Sequence, residues 1–117
     1  MIATLRRLLL VGAAAISLSS PGLAQVSTDV SKAMSQASAA YDRADYAETA
    51  RWYRIAADQG YADAQSILGS MYKIGKGVPQ NYAEALRWYR LAADQGEMFS
   101  QSSLGYMYDL GQGVPEN

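Results

Sequence analysis

Apolar residues recur three or four positions apart along most of the chain, a spacing typical of helices with one buried face. One such stripe contains Tyr46, Ala50, Tyr53 and Ala57. Glycine and proline interrupt the pattern at regular intervals. It predicts an all-α protein with about five helices, at residues 29–43, 45–59, 62–74, 81–95 and 98–110.

The predicted helices carry recognisable start and stop signals. Asp45 and Asn81 stand at helix starts, each followed three residues later by a glutamate, which is the capping-box pattern. Gly60 and Gly96 follow two of the helices, where a left-handed residue commonly ends a helix. Pro79 cannot continue the third helix and favours an extended connection to the fourth.

Residues 45–80 and 81–116 are two copies of one 36-residue repeat. Aligned without gaps, they are identical at roughly 22 of 36 positions. The shared elements include Tyr-Ala-Glu, Arg-Trp-Tyr-Arg, Ala-Ala-Asp-Gln-Gly and Gly-Val-Pro. A period of this length is typical of solenoids, in which helix pairs stack side by side. We therefore expect a short helical solenoid.

Two residue types recur inside the repeat in ways that predict packing. Gly69 and Gly105 stand in helix interiors, where glycine costs about 1 kcal/mol relative to alanine. Their recurrence indicates that another helix approaches closely at both positions. Trp52 and Trp88 also recur at the repeat period, and we interpret them as core residues rather than ligand contacts.

The N-terminal segment has the pattern of a secretory signal peptide. Arg6 and Arg7 precede an apolar run of roughly 11 residues, and a Gly-Leu-Ala cleavage signature follows at 22–24. The run is shorter than the ~20 residues of a membrane-spanning helix. The chain thus divides into a signal peptide at 1–24, the opening helix of a degenerate repeat at 25–44, and repeats at 45–117. We expect a periplasmic or secreted protein without a stable membrane span after cleavage.

Composition narrows the function classes. Lys and Arg total 10, and two of them lie in the predicted signal peptide, so 8 remain against 11 Asp and Glu, a net charge of about −3. This charge does not favour nucleic-acid binding. The chain has no His and no Cys, which removes the commonest general base, the commonest zinc ligand and the thiol nucleophile. We expect no catalytic residue, metal or cofactor.

The stretch from Ala64 to Gly96, AQSILGSMYKIGKGVPQNYAEALRWYRLAADQG, resembles a Sel1-like repeat, a relative of the tetratricopeptide repeat. It contains the Leu-Gly-x-x-Tyr, Gly-x-Gly-Val-Pro and Trp-Tyr-x-x-Ala-Ala elements. A second unit at 100–117 is cut off halfway, and 30–60 looks like a degenerate opening unit. The resemblance implies a right-handed α-solenoid that serves as an adaptor or scaffold for other proteins.

The resemblance also indicates where a partner would bind. In tetratricopeptide-like solenoids the first helix of each pair lines the concave surface, and here these are the helices at 29–43, 62–74 and 98–110. Phe99 stands where the preceding repeat has Asp63, so its exposure and contact with a partner protein or peptide are expected. An ordinary solvated face is the alternative. The candidate face comprises Asp63, Ser66, Ser70, Lys73, Phe99, Ser102, Tyr106 and Asp109, with Lys32, Ser35, Ala39 and Asp42 as counterparts in the opening unit.

The same sequence allows other interpretations. The loop at 75–81 lacks the spacing of a phosphate-binding loop and follows a helix, so it is interpreted as a helix connector. An enzyme that acts on cell-wall material through carboxylates stays open, although no pattern selects a pair. A truncated product without an independent role also stays open, because the connector at 111–117 precedes no helix. Self-association through the last predicted helix would then cover its free face.

Overall fold

The computed structural model describes residues 21–115, with side chains described from Asp29 onward. Residues 1–20 of the predicted signal peptide therefore lie outside the described range. The described residues form five α-helices and no strand, which confirms the predicted fold class. The helices are α1 at Pro21–Asp42, α2 at Tyr46–Asp58, α3 at Ala62–Ile74, α4 at Tyr82–Asp94 and α5 at Met98–Leu110.

The helix boundaries agree with the predicted ones except at the start of α1. The boundaries of α3 and α5 are those predicted, and α2 and α4 are each one residue shorter at both ends. Helix α1 is already present at Pro21, the first described residue, eight residues before the predicted start.

Glycine closes the helices at the positions predicted. Gly60 follows α2 with a φ of 90°, and its N–H donates to the carbonyl of Ala57 at 2.9 Å. The N–H of Tyr61 donates to the carbonyl of Ala56 at 3.2 Å. These two bonds form a Schellman motif, which satisfies carbonyls at the helix end. Gly96 repeats the φ of 90° after α4.

The predicted capping boxes form only in part. The Asp45 side chain accepts from the N–H of Glu48 at 3.3 Å, and the Asn81 side chain accepts from the N–H of Glu84 at 3.0 Å. In a full capping box the glutamate would accept from the N–H of the cap residue. Here both cap N–H groups instead donate to a carbonyl near the end of the preceding helix, at 2.9 Å. The caps therefore also join consecutive helices.

The turn between α1 and α2 is short and strained. Only residues 43–45 separate the two helices, and Ala44 has a φ of 59°. A left-handed conformation costs a residue with a Cβ roughly 1–2 kcal/mol. The N–H of Ala44 donates to the carbonyl of Tyr41 at 2.8 Å, and the N–H of Asp45 donates to that of Ala40 at 2.9 Å. These bonds hold α1 beside α2 despite the strain.

Each helix packs mainly on its neighbours along the chain, as expected for a solenoid. One core cluster gathers Leu68 of α3 and Trp88 of α4 with alanines from α1 and α2. A second joins Tyr89 of α4 to Met107 of α5. Trp88 is 2% exposed, whereas Trp52 is half-buried. Trp88 is therefore a core residue, as predicted, whereas Trp52 is only partly buried against the core.

The two mid-helix glycines differ in their surroundings. A Cβ at Gly69 would lie 2.8 Å from Cδ1 of Tyr89, whose side chain is 1% exposed. The predicted close approach is confirmed there. At Gly105 the prediction is wrong, since a Cβ would meet nothing within 4 Å. The reason is that no helix follows α5 in the described part of the chain.

We expect alanine substitutions at these two glycines to change stability in opposite directions. Gly69→Ala should lower the free energy of unfolding by about 1–3 kcal/mol, because the added methyl must displace the Tyr89 ring. Gly105→Ala should raise it by up to about 1 kcal/mol, because alanine favours the helix and has open space. Urea denaturation of both variants measures the difference. A shift of the same sign in both would contradict this account of the glycines.

Candidate functional site

Helices α1, α3 and α5 together form a groove of about 460 Å³. These are the three helices that the resemblance assigned to the concave surface. Four of the eight residues of the candidate face line the groove. Its lining consists of Met34 from α1, Asp63, Ser66, Ile67 and Ser70 from α3, Phe99 from α5, and Glu97 at the start of α5.

Phe99 is the prominent apolar side chain of the groove. Its side chain is 57% exposed, and its ring packs edge-on against Tyr89 with the ring centroids 6.2 Å apart. The Tyr89 hydroxyl and Ser70 Oγ share a hydrogen bond of 2.7 Å. Burial raises the pKa of the Tyr89 hydroxyl above its ordinary value. The buried Tyr89 side chain of α4 thus packs against the exposed Phe99 ring and fixes its position.

Other residues of the candidate face have different positions. Lys73 and Tyr106 contact each other, with Nζ 5.0 Å from the ring centroid, a cation–π contact that joins α3 to α5. Ser66 is only 6% exposed, so the prediction of an exposed face is wrong at this residue. Its side chain interacts with the Glu97 carboxylate at the start of α5. Ser102 and Asp109 are exposed on α5 and do not line the groove.

The opening unit contributes to the groove differently from the prediction. The four counterpart residues named for it are exposed and do not line the groove, whereas the neighbouring Met34 does. Ile67 lines the groove as well and also packs against the core. Glu97 was missed because it lies between two predicted helices. Its place directly before a helix start was the available signal, since such a residue can cap the helix.

Glu97 is the N-cap of α5. Its carboxylate accepts from the N–H of Phe99 at 3.1 Å and from the N–H of Ser100 at 2.7 Å. Partial burial raises the pKa of Glu97, but hydrogen bonds from Ser100, Ser66 and the N–H of Phe99 outweigh it, so the pKa lies below its ordinary value. Asp63 stands in the first turn of α3. Both carboxylates lie at helix N-termini, where the helix dipole stabilises a negative charge, so the groove combines apolar surface with two acidic groups.

We expect Glu97 to make stability depend on pH. A carboxyl group whose pKa is lower in the folded state stabilises that state fully above the unfolded-state pKa, near 4.5. The contribution is lost as pH falls through the lower folded-state value. Glu97→Ala should therefore lower the free energy of unfolding by about 1 kcal/mol at pH 7, and by less at pH 3.

Thermal melts of wild type and Glu97→Ala across this pH range measure the effect. Glu97→Gln is the matched control, because it keeps an oxygen acceptor but cannot ionise. A difference between wild type and Glu97→Ala that stays constant from pH 7 to pH 3 would show that the carboxylate charge has no role.

The architecture is that of an α-solenoid of repeated helix pairs. The Sel1 repeat model matches residues 37–61, 62–97 and 99–117. The chain therefore belongs to the Sel1 repeat family, whose members are generally protein-interaction modules. The first matched unit covers the end of α1 and all of α2, and the second covers α3 and α4. The resemblance predicted the same helix pairs, at 30–60 and 64–96.

Two solved structures are similar to the chain. One is a protective antigen present in uropathogenic Escherichia coli strains that displays an SLR fold; it shares 45% identity, with a TM-score of 0.58 over 59% of this chain and 15% of that chain. The other is a Sel1 repeat protein from Oxalobacter formigenes, with 39% identity and a TM-score of 0.58 over 61% of this chain and 29% of that chain. The chain thus spans less than a third of either structure.

The comparison with curated proteins found no match. Within residues 21–115, none of the helices has the length and apolar character required to cross a membrane.

Proposed function

We propose that this chain is an exported, non-enzymatic interaction module whose groove between α1, α3 and α5 binds an extended segment of a partner protein. The observation that carries the proposal is the convergence of three helices on one concave groove with a partly exposed phenylalanine. Membership of the Sel1 repeat family supports the interaction role. The N-terminal sequence pattern supports the export.

The groove has the features of a peptide site. Met34, Ile67 and Phe99 supply apolar surface from three different helices, and Asp63 and the half-buried Ser70 supply polar groups. Apolar lining with a few placed polar groups is typical of binding sites. An apolar side chain of the partner would lie between the three apolar residues, and its backbone would bond to the polar ones.

A pull-down from an envelope extract tests the groove. The bait variants are Phe99→Ala and Phe99→Ala/Tyr106→Ala, with folding checked by circular dichroism. Leu91→Ala is the matched control, because Leu91 is 40% exposed but lies on α4, which does not line the groove. We expect a partner that wild type and Leu91→Ala recover and the groove variants lose at least tenfold. Equal recovery by all baits would contradict the proposed site.

Export and the lack of catalysis have separate tests. Mass spectrometry of the protein from cell fractions should find a mature N-terminus at Gln25 in the periplasm or medium. An intact chain retained in the cytoplasm would contradict export. Turnover of peptidoglycan by the purified protein, abolished by a single Asp or Glu substitution, would contradict the non-enzymatic role.

A further inference from the structure

A pocket of about 270 Å³ lies between α2, α3 and the connector at 75–81. Its apolar base includes Ala50, Leu68 and Val78, of which the first two are buried. Arg51 and Arg54 line its mouth, and their side chains are 74% and 49% exposed. The pocket shares no lining residue with the groove between α1, α3 and α5. It is therefore a separate candidate site whose role is independent of the groove.

The same lining recurs one repeat later with a single difference. Each residue of the pocket has an identical counterpart 36 positions further along the chain, except that Ala50 corresponds to Leu86. Leu86 is 4% exposed, and its Cδ1 lies 2.9 Å from the point where a Cβ at Gly113 would stand. The leucine side chain therefore reaches the second connector, whereas the methyl group of Ala50 leaves the corresponding space open. The pocket thus results from one substitution in an otherwise repeated structure.

The two arginines at the mouth are suited to bind an anionic group. Arg51 pairs with Glu48 at 3.1 Å, and Nε of Arg54 lies 3.9 Å from the Asp58 carboxylate. Ion pairs this exposed contribute little to stability, so each guanidinium can turn toward a ligand at low cost. Nη1 of Arg54 also donates to the Tyr72 hydroxyl at 3.3 Å, which keeps this guanidinium beside the pocket. A guanidinium has five N–H donors in a planar fork that matches the two oxygens of a carboxylate.

We propose that this pocket binds a branched aliphatic carboxylate, which is either a free small acid or the C-terminal residue of a peptide. The aliphatic group occupies the space beside Ala50 that Leu86 fills in the next repeat. The carboxylate accepts hydrogen bonds from Arg51 and Arg54. The pocket is smaller than the about 300–1,000 Å³ of sites for drug-sized ligands, which favours a ligand with few atoms.

An NMR titration with isocaproate tests the site, because this acid joins the branched end of a leucine side chain to a carboxylate. We expect saturable shifts of the Ala50 and Val78 amide signals, with a dissociation constant on the order of 1 mM for so small a ligand. The neutral analogue isocaproamide has the same shape and should bind at least tenfold more weakly. The absence of saturable shifts in wild type, or equal binding of the acid and the amide, would overturn the proposal.

Two reciprocal substitutions locate the site, with folding checked by circular dichroism. Ala50→Leu introduces the residue of the next repeat, so it should fill the pocket and weaken the binding of isocaproate at least tenfold. Leu86→Ala opens the corresponding space and should add a second site, seen as saturable shifts of the Val114 amide signal. Unchanged binding by Ala50→Leu would overturn the proposal, as would a folded Leu86→Ala without a second site. If either variant does not fold, the comparison of acid and amide in wild type still decides.

N-acetyl-leucine distinguishes the two sources of the carboxylate, since it carries the backbone amide that a C-terminal residue has. Tighter binding of N-acetyl-leucine than of isocaproate identifies a peptide terminus as the ligand. Weaker or equal binding identifies a free acid.

Discussion

Replacing Tyr89 with alanine should lower the free energy of unfolding by about 3–5 kcal/mol, the range for deletion of a buried aromatic ring. The ring fills the space left by Gly69, meets Phe99 edge-on, and shares a hydrogen bond with Ser70. Its loss would leave a cavity where α3, α4 and α5 meet. Since small domains have a total stability of only 5–15 kcal/mol, we expect a large fall in the urea midpoint.

Two variants separate the causes of this loss. Tyr89→Phe keeps the ring and removes only the hydroxyl, with its hydrogen bonds to Ser70 and Ser103, so it should cost about 1–2 kcal/mol. Tyr53→Ala removes the same residue from the same repeat position where it is only half-buried, and it should cost clearly less than Tyr89→Ala. Equal losses for Tyr53→Ala and Tyr89→Ala would show that the close packing of Tyr89 against Gly69 adds nothing to the free energy of unfolding.

Gly77→Ala should lower the free energy of unfolding by about 3 kcal/mol, because two costs combine. Gly77 has a φ of 78°, which an alanine adopts only at roughly 1–2 kcal/mol. A Cβ there would also lie 2.1 Å from the carbonyl oxygen of Tyr46, at the start of α2. Because this is a backbone atom, it cannot rotate away from the added methyl group. The loop must therefore shift, at a cost of about 1–3 kcal/mol.

Gly60→Ala is the control that measures the conformational cost alone. Gly60 has a φ of 90°, but a Cβ there would meet nothing within 4 Å. Its substitution should therefore cost only the conformational strain, roughly 1–2 kcal/mol. The difference in urea midpoint between the two variants measures the contact between the loop and α2. Equal losses would mean that the loop moves away from the added methyl group without a further loss of stability.

The helices could be predicted closely because their signals are local. Cap residues, glycines and apolar spacing act within one turn, and the repeat shows each signal twice. The start of α1 could not be predicted in this way, because residues 21–28 show no apolar stripe. The α1 stripe itself consists largely of alanine, so it did not indicate that Met34 faces the groove.

The candidate site was predictable at the level of the helices that form it and less so at the level of residues. Asp63, Ser70 and Phe99 line the groove because they lie on the expected face of α3 and α5. The burial of Ser66 depends on how the start of α5 approaches α3, and the periodicity of a single helix contains no information on that approach. The open space beside Gly105 likewise depends on which helix packs there, and a repeated glycine contains no information on that helix.

The two connectors that carry Gly-Val-Pro make the same contact one repeat apart. Gly77 lies against the carbonyl group of Tyr46, and Gly113 lies against that of Tyr82. Each connector therefore contacts the first residue of the second helix before it, at a constant distance along the sequence. Insertion or deletion of one whole 36-residue unit would leave each remaining junction with its own partners. Gene duplication could thus lengthen this protein, and the groove with it, without any change in the core.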